Sequence, residues 1–163
     1  NSSPRTGNRI GNEFSLERKI ELIQSYLELE QIQYEDKFDF EIIVADGVSI
    51  EQLTVPPLII QPYVENAVKH GLAHKEGKGK IKVTFEYNDN VLMCTIEDDG
   101  IGRKKAQEIK ERSKHSYRSM GTYLVQDRVA LLNKVGYNIS IETFDRPDGG
   151  TIVKIKIPNK NED

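Results

Sequence analysis

From Leu16 onward, apolar residues recur at Leu16, Ile20, Ile23 and Leu27, a 4-3-4 spacing that draws one stripe along a helix. Ser15 stands where an N-cap belongs, and Arg18 occupies the place of a capping-box glutamate, so the predicted helix runs from Ser15 to about Glu35 with half a cap. Leu22, Tyr26 and Leu29 make a second stripe, which predicts burial on more than one side, by its own domain or by a partner. Phe38 to Ala45 alternates at first and reads as a strand. Pro56-Pro57 then sets up a helix that ends near Gly71, with Pro62 bending its first half. Ile81–Tyr87 and Val91–Glu97 flank Asn88-Asp89-Asn90 and read as a hairpin. A Lys- and Glu-rich helix follows from about Arg103 to Glu111, then an aperiodic polar loop at Arg112–Met120, then a helix over Gly121–Val135. Two last strands, Asn138–Phe144 and Thr151–Ile157, are joined by a turn at Arg146–Gly150. This order predicts an α+β fold, a mixed sheet covered on one face by helices.

Composition narrows the class. The 163 residues suit one domain, and 37% hydrophobic with 30% charged residues gives it enough material for a core. Lys and Arg number 23 against 26 Asp and Glu, a net charge of −3, so the basic face that nucleic acid requires is not expected. A single cysteine, Cys94, excludes an internal disulfide framework and points to a reducing compartment. No apolar run reaches the roughly 20 residues of a membrane helix, and no signal-peptide pattern opens the chain. Residues 1–14 read as a flexible lead-in that starts inside a longer protein, since no initiator methionine is present, and residues 159–163 as a tail.

Four stretches carry candidate chemistry. Glu65, Asn66, Lys69 and His70 share one side of a helix: an amide or carboxylate oxygen ligates Mg²⁺ and an ammonium neutralises phosphate, although the same residues also make an ordinary solvated face with a Glu65–Lys69 pair. Asp98-Asp99-Gly100-Ile101-Gly102 closes an apolar strand; glycines there let backbone approach a planar ligand, and Asp98 is placed to accept from an exocyclic amine, unless the stretch is simply an acidic turn. Gly121 opens a helix whose free N–H groups suit a phosphate or merely an N-cap. Gly149-Gly150-Thr151 leads the last strand, where a hydroxyl can reach a buried ligand.

Taken in order, VPPLIIQPYVENAVKHG, EDDGIG, SMGTYLVQDRVALLN and GGTIVKIKIP resemble the asparagine box, the two glycine boxes and the final strand of the ATPase domain of sensor histidine kinases. More narrowly, QPYVENAVKHG with ERKIELIQSYLELEQIQYEDKF ahead of it resembles the autolysin-regulator type of bacterial sensor kinase. The resemblance covers about Leu16 to Pro158. It implies a two-layer α/β sandwich, the Bergerat fold of gyrase, Hsp-type chaperones and mismatch-repair ATPases, over residues 37–158, preceded by a helix at 15–36. It implies ATP and Mg²⁺ as cofactors, with Asn66 as the metal ligand and Lys69 and His70 on the phosphate side. Asp98 is implied to bind the adenine amine, Gly100 and Gly102 to shape the pocket, Gly121 to meet phosphate, residues 112–120 to form the ATP lid, and Thr151 to lie near adenine.

By the same resemblance the γ-phosphoryl group goes to a histidine upstream of this stretch, because no motif like N-P-H-F-x-F-N occurs here and the three histidines are His70, His74 and His115. A cytoplasmic domain of a membrane-anchored homodimer serving a response regulator is the implied setting, with the Leu16–Leu27 stripe a candidate dimer seam. Two positions depart from the pattern: Tyr123 replaces the second glycine of G-x-G-L, and Asp99 replaces the commoner asparagine, adding charge beside the pocket. Hydrolytic relatives place a general-base glutamate one turn before the asparagine, where this chain has Pro62; Glu65 is then left a supporting role toward Mg²⁺-bound water, and poor intrinsic hydrolysis is expected. A degenerate regulatory module and an anti-sigma-type serine kinase are the alternatives.

Overall fold

A computed structural model of the chain describes residues 14–56, 59–102, 104, 105, 108 and 120–158. The elements are β1 (Phe14–Ser15), α1 (Leu16–Gln33), β2 (Phe38–Val44), β3 (Thr54–Val55), α2 (Gln61–Asn66) continuing into a π-helical stretch (Ala67–Leu72), β4 (Gly79–Asn88), β5 (Val91–Asp98), α3 (Met120–Lys134), β6 (Ser140–Asp145) and β7 (Thr151–Pro158). The main sheet has the order β2-β4-β5-β7-β6, with β2 parallel to β4 and every other pair antiparallel. The expected mixed sheet and its helical layer are therefore both present.

Alternation explains why one face is dry. Ile81, Val83 and Phe85 on β4, Leu92, Cys94 and Ile96 on β5, and Val153, Ile155 and Ile157 on β7 point to the same side and are buried. The helices close over them with Leu16, Ile23 and Leu27 from α1, Val64 from α2, Val68 and Leu72 from the π stretch and Leu132 from α3. The opposite face carries paired charge, Lys80 with Glu41 across neighbouring strands at 3.1 Å and Arg146, in the turn after β6, with Glu97 at 3.0 Å. Cys94 sits wholly inside, on the central strand of the sheet, and burial pushes its thiol well above the ordinary range.

The capping expected at Ser15 is made: its Oγ accepts from the Arg18 N–H at 3.1 Å. Leu16, Ile23 and Leu27 have no exposed surface, so this stripe belongs to the domain's own core and is not available as a dimer seam. The hydrophobic residues left outside on α1 are Leu29, 65% exposed, and Ile32, 75% exposed. Lys19, buried in the first stripe, spends its charge over the Phe14 ring at 5.3 Å, and burial lowers its pKa. In the hairpin, Asn88 stays paired with Val91 and only Asp89 and Asn90 form the turn, both at positive φ (51° and 64°), the signature of the primed turns that match strand twist.

Three expectations change. The helix after Pro56 does not begin there: Val55 is paired with Phe14, and α2 opens at Gln61. Pro62 therefore lies in the first turn, where a missing N–H costs nothing, and bends nothing. Below Asn66 the helix widens, the Ala73 N–H donating to the Val68 carbonyl five residues back at 2.8 Å. The predicted helix over Arg103–Glu111 and the loop at 112–119 lie largely or wholly outside the described residues.

Candidate nucleotide site

The site is organised around Asp98. As the last residue of β5 it follows Ile96 onto the helix-covered face, between Ile81 of β4 and Thr151 of β7. Directly opposed residues in antiparallel strands share a face, so Thr151 and Asp98 are neighbours on that side. The Asp98 carboxylate is only 5% exposed. Its Oδ1 accepts from the Gly100 N–H at 2.8 Å, which leaves most of its acceptor capacity for another donor. Burial is the main cause that pushes its pKa up to about 6; the Gly100 bond works against the rise and Asp99 adds to it.

Glycines make room for that carboxylate. A Cβ on Gly71 would stand 2.9 Å from Asp98 Oδ1, so the π-helical stretch comes this close only because residue 71 has no side chain. Gly100 meets the Gly71 backbone, with a virtual Cβ 2.3 Å from the Gly71 carbonyl carbon, and the Ile101 N–H donates to the Gly71 oxygen at 3.3 Å. Gly150, at φ +107°, lies against the Asp98 backbone, 2.0 Å from its carbonyl oxygen to a virtual Cβ. Gly102 is at φ +89° and faces Gly150. The second and fourth motifs are thus locked together by backbone contact, and the first is stacked on the second through Gly71.

Glu65 and Asn66 are half-buried at the end of α2, and Lys69 is exposed and His70 half-buried on the π stretch, which joins the Asp98 loop at Gly71. Asn66 and His70 each have partners within the fold. Gly121 is the second residue of α3, and α3 packs against α2. The side chains of residues 120–125, including Tyr123, are outside the description, as are residues 112–119 of the expected lid. Asp99 keeps its expected charge beside Asp98 and takes a structural role as well. Its Oδ1 accepts from the Lys80 backbone N–H at 2.9 Å, bracing the start of β4, where Gly79 leaves it room. Its charge, tied to the start of β4, still acts on Asp98 as expected, adding to the rise of that carboxyl's pKa.

Gly71 was given no role of its own in the sequence, being marked as a helix stop and the last letter of the first motif; the structure sets it against the Asp98 carboxylate. Tyr26 was read only as part of an apolar stripe. Its hydroxyl is buried on α1 and forms no hydrogen bond, a state that costs about 1–3 kcal/mol when no water reaches the group. On the other face of the sheet a shallow cleft is lined by Lys80, Lys82, Glu97, Asp99 and Arg146, and of the candidate residues only Asp98 borders it. Arg146 there pairs with Glu97 and Lys80 with Glu41, and the other motif residues do not converge on it. Among the described residues no cluster of three or more His, Cys, Asp or Glu side chains suits a metal.

Comparison with known proteins agrees with the motifs. Residues 56–161 match the family described as histidine kinase-, DNA gyrase B-, and HSP90-like ATPase. Sensor protein LytS of Staphylococcus saprophyticus is 32% identical over 152 residues, covering 92% of this chain and 25% of that protein. Sensor histidine kinase BtsS of Escherichia coli is 27% identical over 148 residues, 91% of this chain and 24% of that one. The chain spans about a quarter of the length of these relatives. Among solved structures, a nucleotide-free catalytic domain of histidine kinase ThkA superimposes with a TM-score of 0.60 at 21% identity, covering 93% of this chain and 97% of that one. ThkA in complex with the response regulator TrrA gives 0.56 at 20% identity, over 92% and 42%.

Proposed function

Since the chain belongs to the histidine kinase-, DNA gyrase B-, and HSP90-like ATPase family, we propose that it is the catalytic ATP-binding domain of a sensor kinase that donates the ATP γ-phosphoryl group to a histidine elsewhere in its parent protein. The observation that carries this reading is the Asp98 carboxylate, buried under a glycine with one backbone donor. A desolvated acceptor of that kind, flanked by Thr151, discriminates a ligand that brings an amine donor, because the group is left unpaired without it. The glycine-walled backbone at Gly100, Gly102 and Gly150 suits the edge of a flat ring.

At the other end Asn66 would hold Mg²⁺, with Lys69 and His70 beside the phosphates and the start of α3 at Gly121 offering backbone N–H groups. Bound there, the metal neutralises charge on the oxygens of the transferred group. The protein's own share is to fix the adenine end, to orient the triphosphate and to exclude water, which phosphoryl transfer requires more than it requires a base. Pro62 stands where a hydrolytic base would be, so transfer to a protein acceptor is favoured over hydrolysis. Glu65 supports the metal end. We place the acceptor histidine, the dimer contacts and any membrane anchor in the rest of the parent; Leu29 and Ile32 are the surface that α1 offers for such contacts, and a response regulator, the partner of ThkA, is the expected recipient of the phosphoryl group. No described helix is long and apolar enough to cross a membrane.

The test is calorimetric titration with Mg-ATP. Wild type is expected to bind, and Asp98→Asn to lose binding while the unliganded melting temperature is kept or raised. Equal affinity in the variant would sink the adenine assignment.

A further inference from the structure

Tyr26 connects α1 to the phosphate end of the proposed site. Its ring packs against the core, yet its hydroxyl is sealed from solvent with neither donor nor acceptor satisfied. Two carboxylates stand within electrostatic reach, Glu30 one turn along the same helix and Glu65 on α2, and the Tyr34 hydroxyl is the third neighbour; with burial, they raise the Tyr26 pKa. Glu65 is half-buried and adjacent in sequence to Asn66. Glu30, being on the same helix as Tyr26, moves with it. Glu65 alone of the two connects Tyr26 to the site.

From this geometry we infer that Tyr26 is a positioning residue, whose hydroxyl becomes the hydrogen-bond donor to Glu65 when a magnesium–triphosphate occupies the site beside Asn66. The inference rests on the nucleotide-binding reading above. A magnesium ion held at Asn66 would draw the neighbouring Glu65 carboxylate, through metal-bound water, out of its resting orientation. The carboxylate oxygen left over is then best satisfied by an unused donor, and the buried Tyr26 hydroxyl is such a donor. The new bond ties α1 to α2 only while the metal and phosphates are present. Adenosine, which brings neither, gives Glu65 no cause to turn.

Tyr26→Phe tests this directly, since it deletes the hydroxyl and keeps the ring. The unliganded variant is expected to melt at the wild-type temperature or above it, because an unsatisfied buried group has been removed. Its affinity for Mg-ATP is expected to fall several-fold while its affinity for adenosine stays unchanged. In a Glu65→Ala background the same substitution is expected to make no further difference to Mg-ATP binding. Wild-type Mg-ATP affinity in Tyr26→Phe would overturn the inference, as would an equal loss for adenosine or a melting temperature lowered by several degrees. If wild type itself fails to bind Mg-ATP, the nucleotide reading falls, and this inference with it; if wild type binds and Tyr26→Phe binds equally, only the inference falls.

Discussion

Asp98 has a cost that its chemistry explains. The unfolded carboxyl titrates near 3.8 and the folded one near about 6, so between those values the folded state holds its proton more tightly. Stability contributed by this group therefore falls as pH rises from about 4 to about 6, and the gap corresponds to about 3 kcal/mol at most. Asp98→Asn removes that penalty, and chemical denaturation at pH 7 should find the variant at least as stable as wild type. Nucleotide affinity should run the other way: it weakens as pH drops below about 6 and the carboxylate that accepts the amine is lost, which titrations at pH 5 and pH 7.5 would read out. Gly71→Ala is expected to force the Asp98 carboxylate aside and cut ATP affinity by at least tenfold, with a smaller effect on melting, since the new methyl meets one side-chain oxygen. Asp98 itself was legible because an acid before G-x-G on a strand end is a rare arrangement. Gly71 was not, because the same letter serves to end a helix, and only the packed structure distinguishes the two uses.

Among the elements, those with a period long enough to count were readable. The α1 stripe, the β4–β5 hairpin and β7 follow their patterns to within a few residues. The two-residue strands β1 and β3 have no period to read, and their pairing, Phe14 with Val55, moved the start of α2 from Pro56 to Gln61. The π-helical widening at Ala67–Leu72 was also invisible, because it changes which backbone groups bond and not which residues are apolar. The two stripes on α1 read as burial on two sides; the first is core, and the second splits into a half-buried part at Leu22 and Tyr26 and an exposed end at Leu29. Leu27→Ala, at the buried end of the first stripe, is expected to cost about 2–5 kcal/mol and lower the melting temperature accordingly, as scanning calorimetry would show. Leu29→Ala should leave it nearly unchanged.

For the whole molecule, the family match begins at residue 56, whereas β1 and α1, ahead of it, already belong to the described fold. Leu16, Ile23, Leu27 and Phe38 are buried in the shared core, and β2 covers the edge of β4. A fragment trimmed to the family match should therefore aggregate or remain partly unfolded, with an open strand edge and a missing helix, and its near-ultraviolet circular dichroism should be weak. Cys94, the chain's single thiol, lies on the central strand whose last residue is Asp98. A thiol reagent can reach it only when the sheet opens, so labelling at Cys94 clocks the opening of the fold without any engineered probe. Mg-ATP at a hundredfold excess over its dissociation constant would add about 2.7 kcal/mol and slow that clock roughly a hundredfold. The lone cysteine, of no use as a crosslink, thus becomes the protein's own stopwatch for occupancy at the far end of its strand.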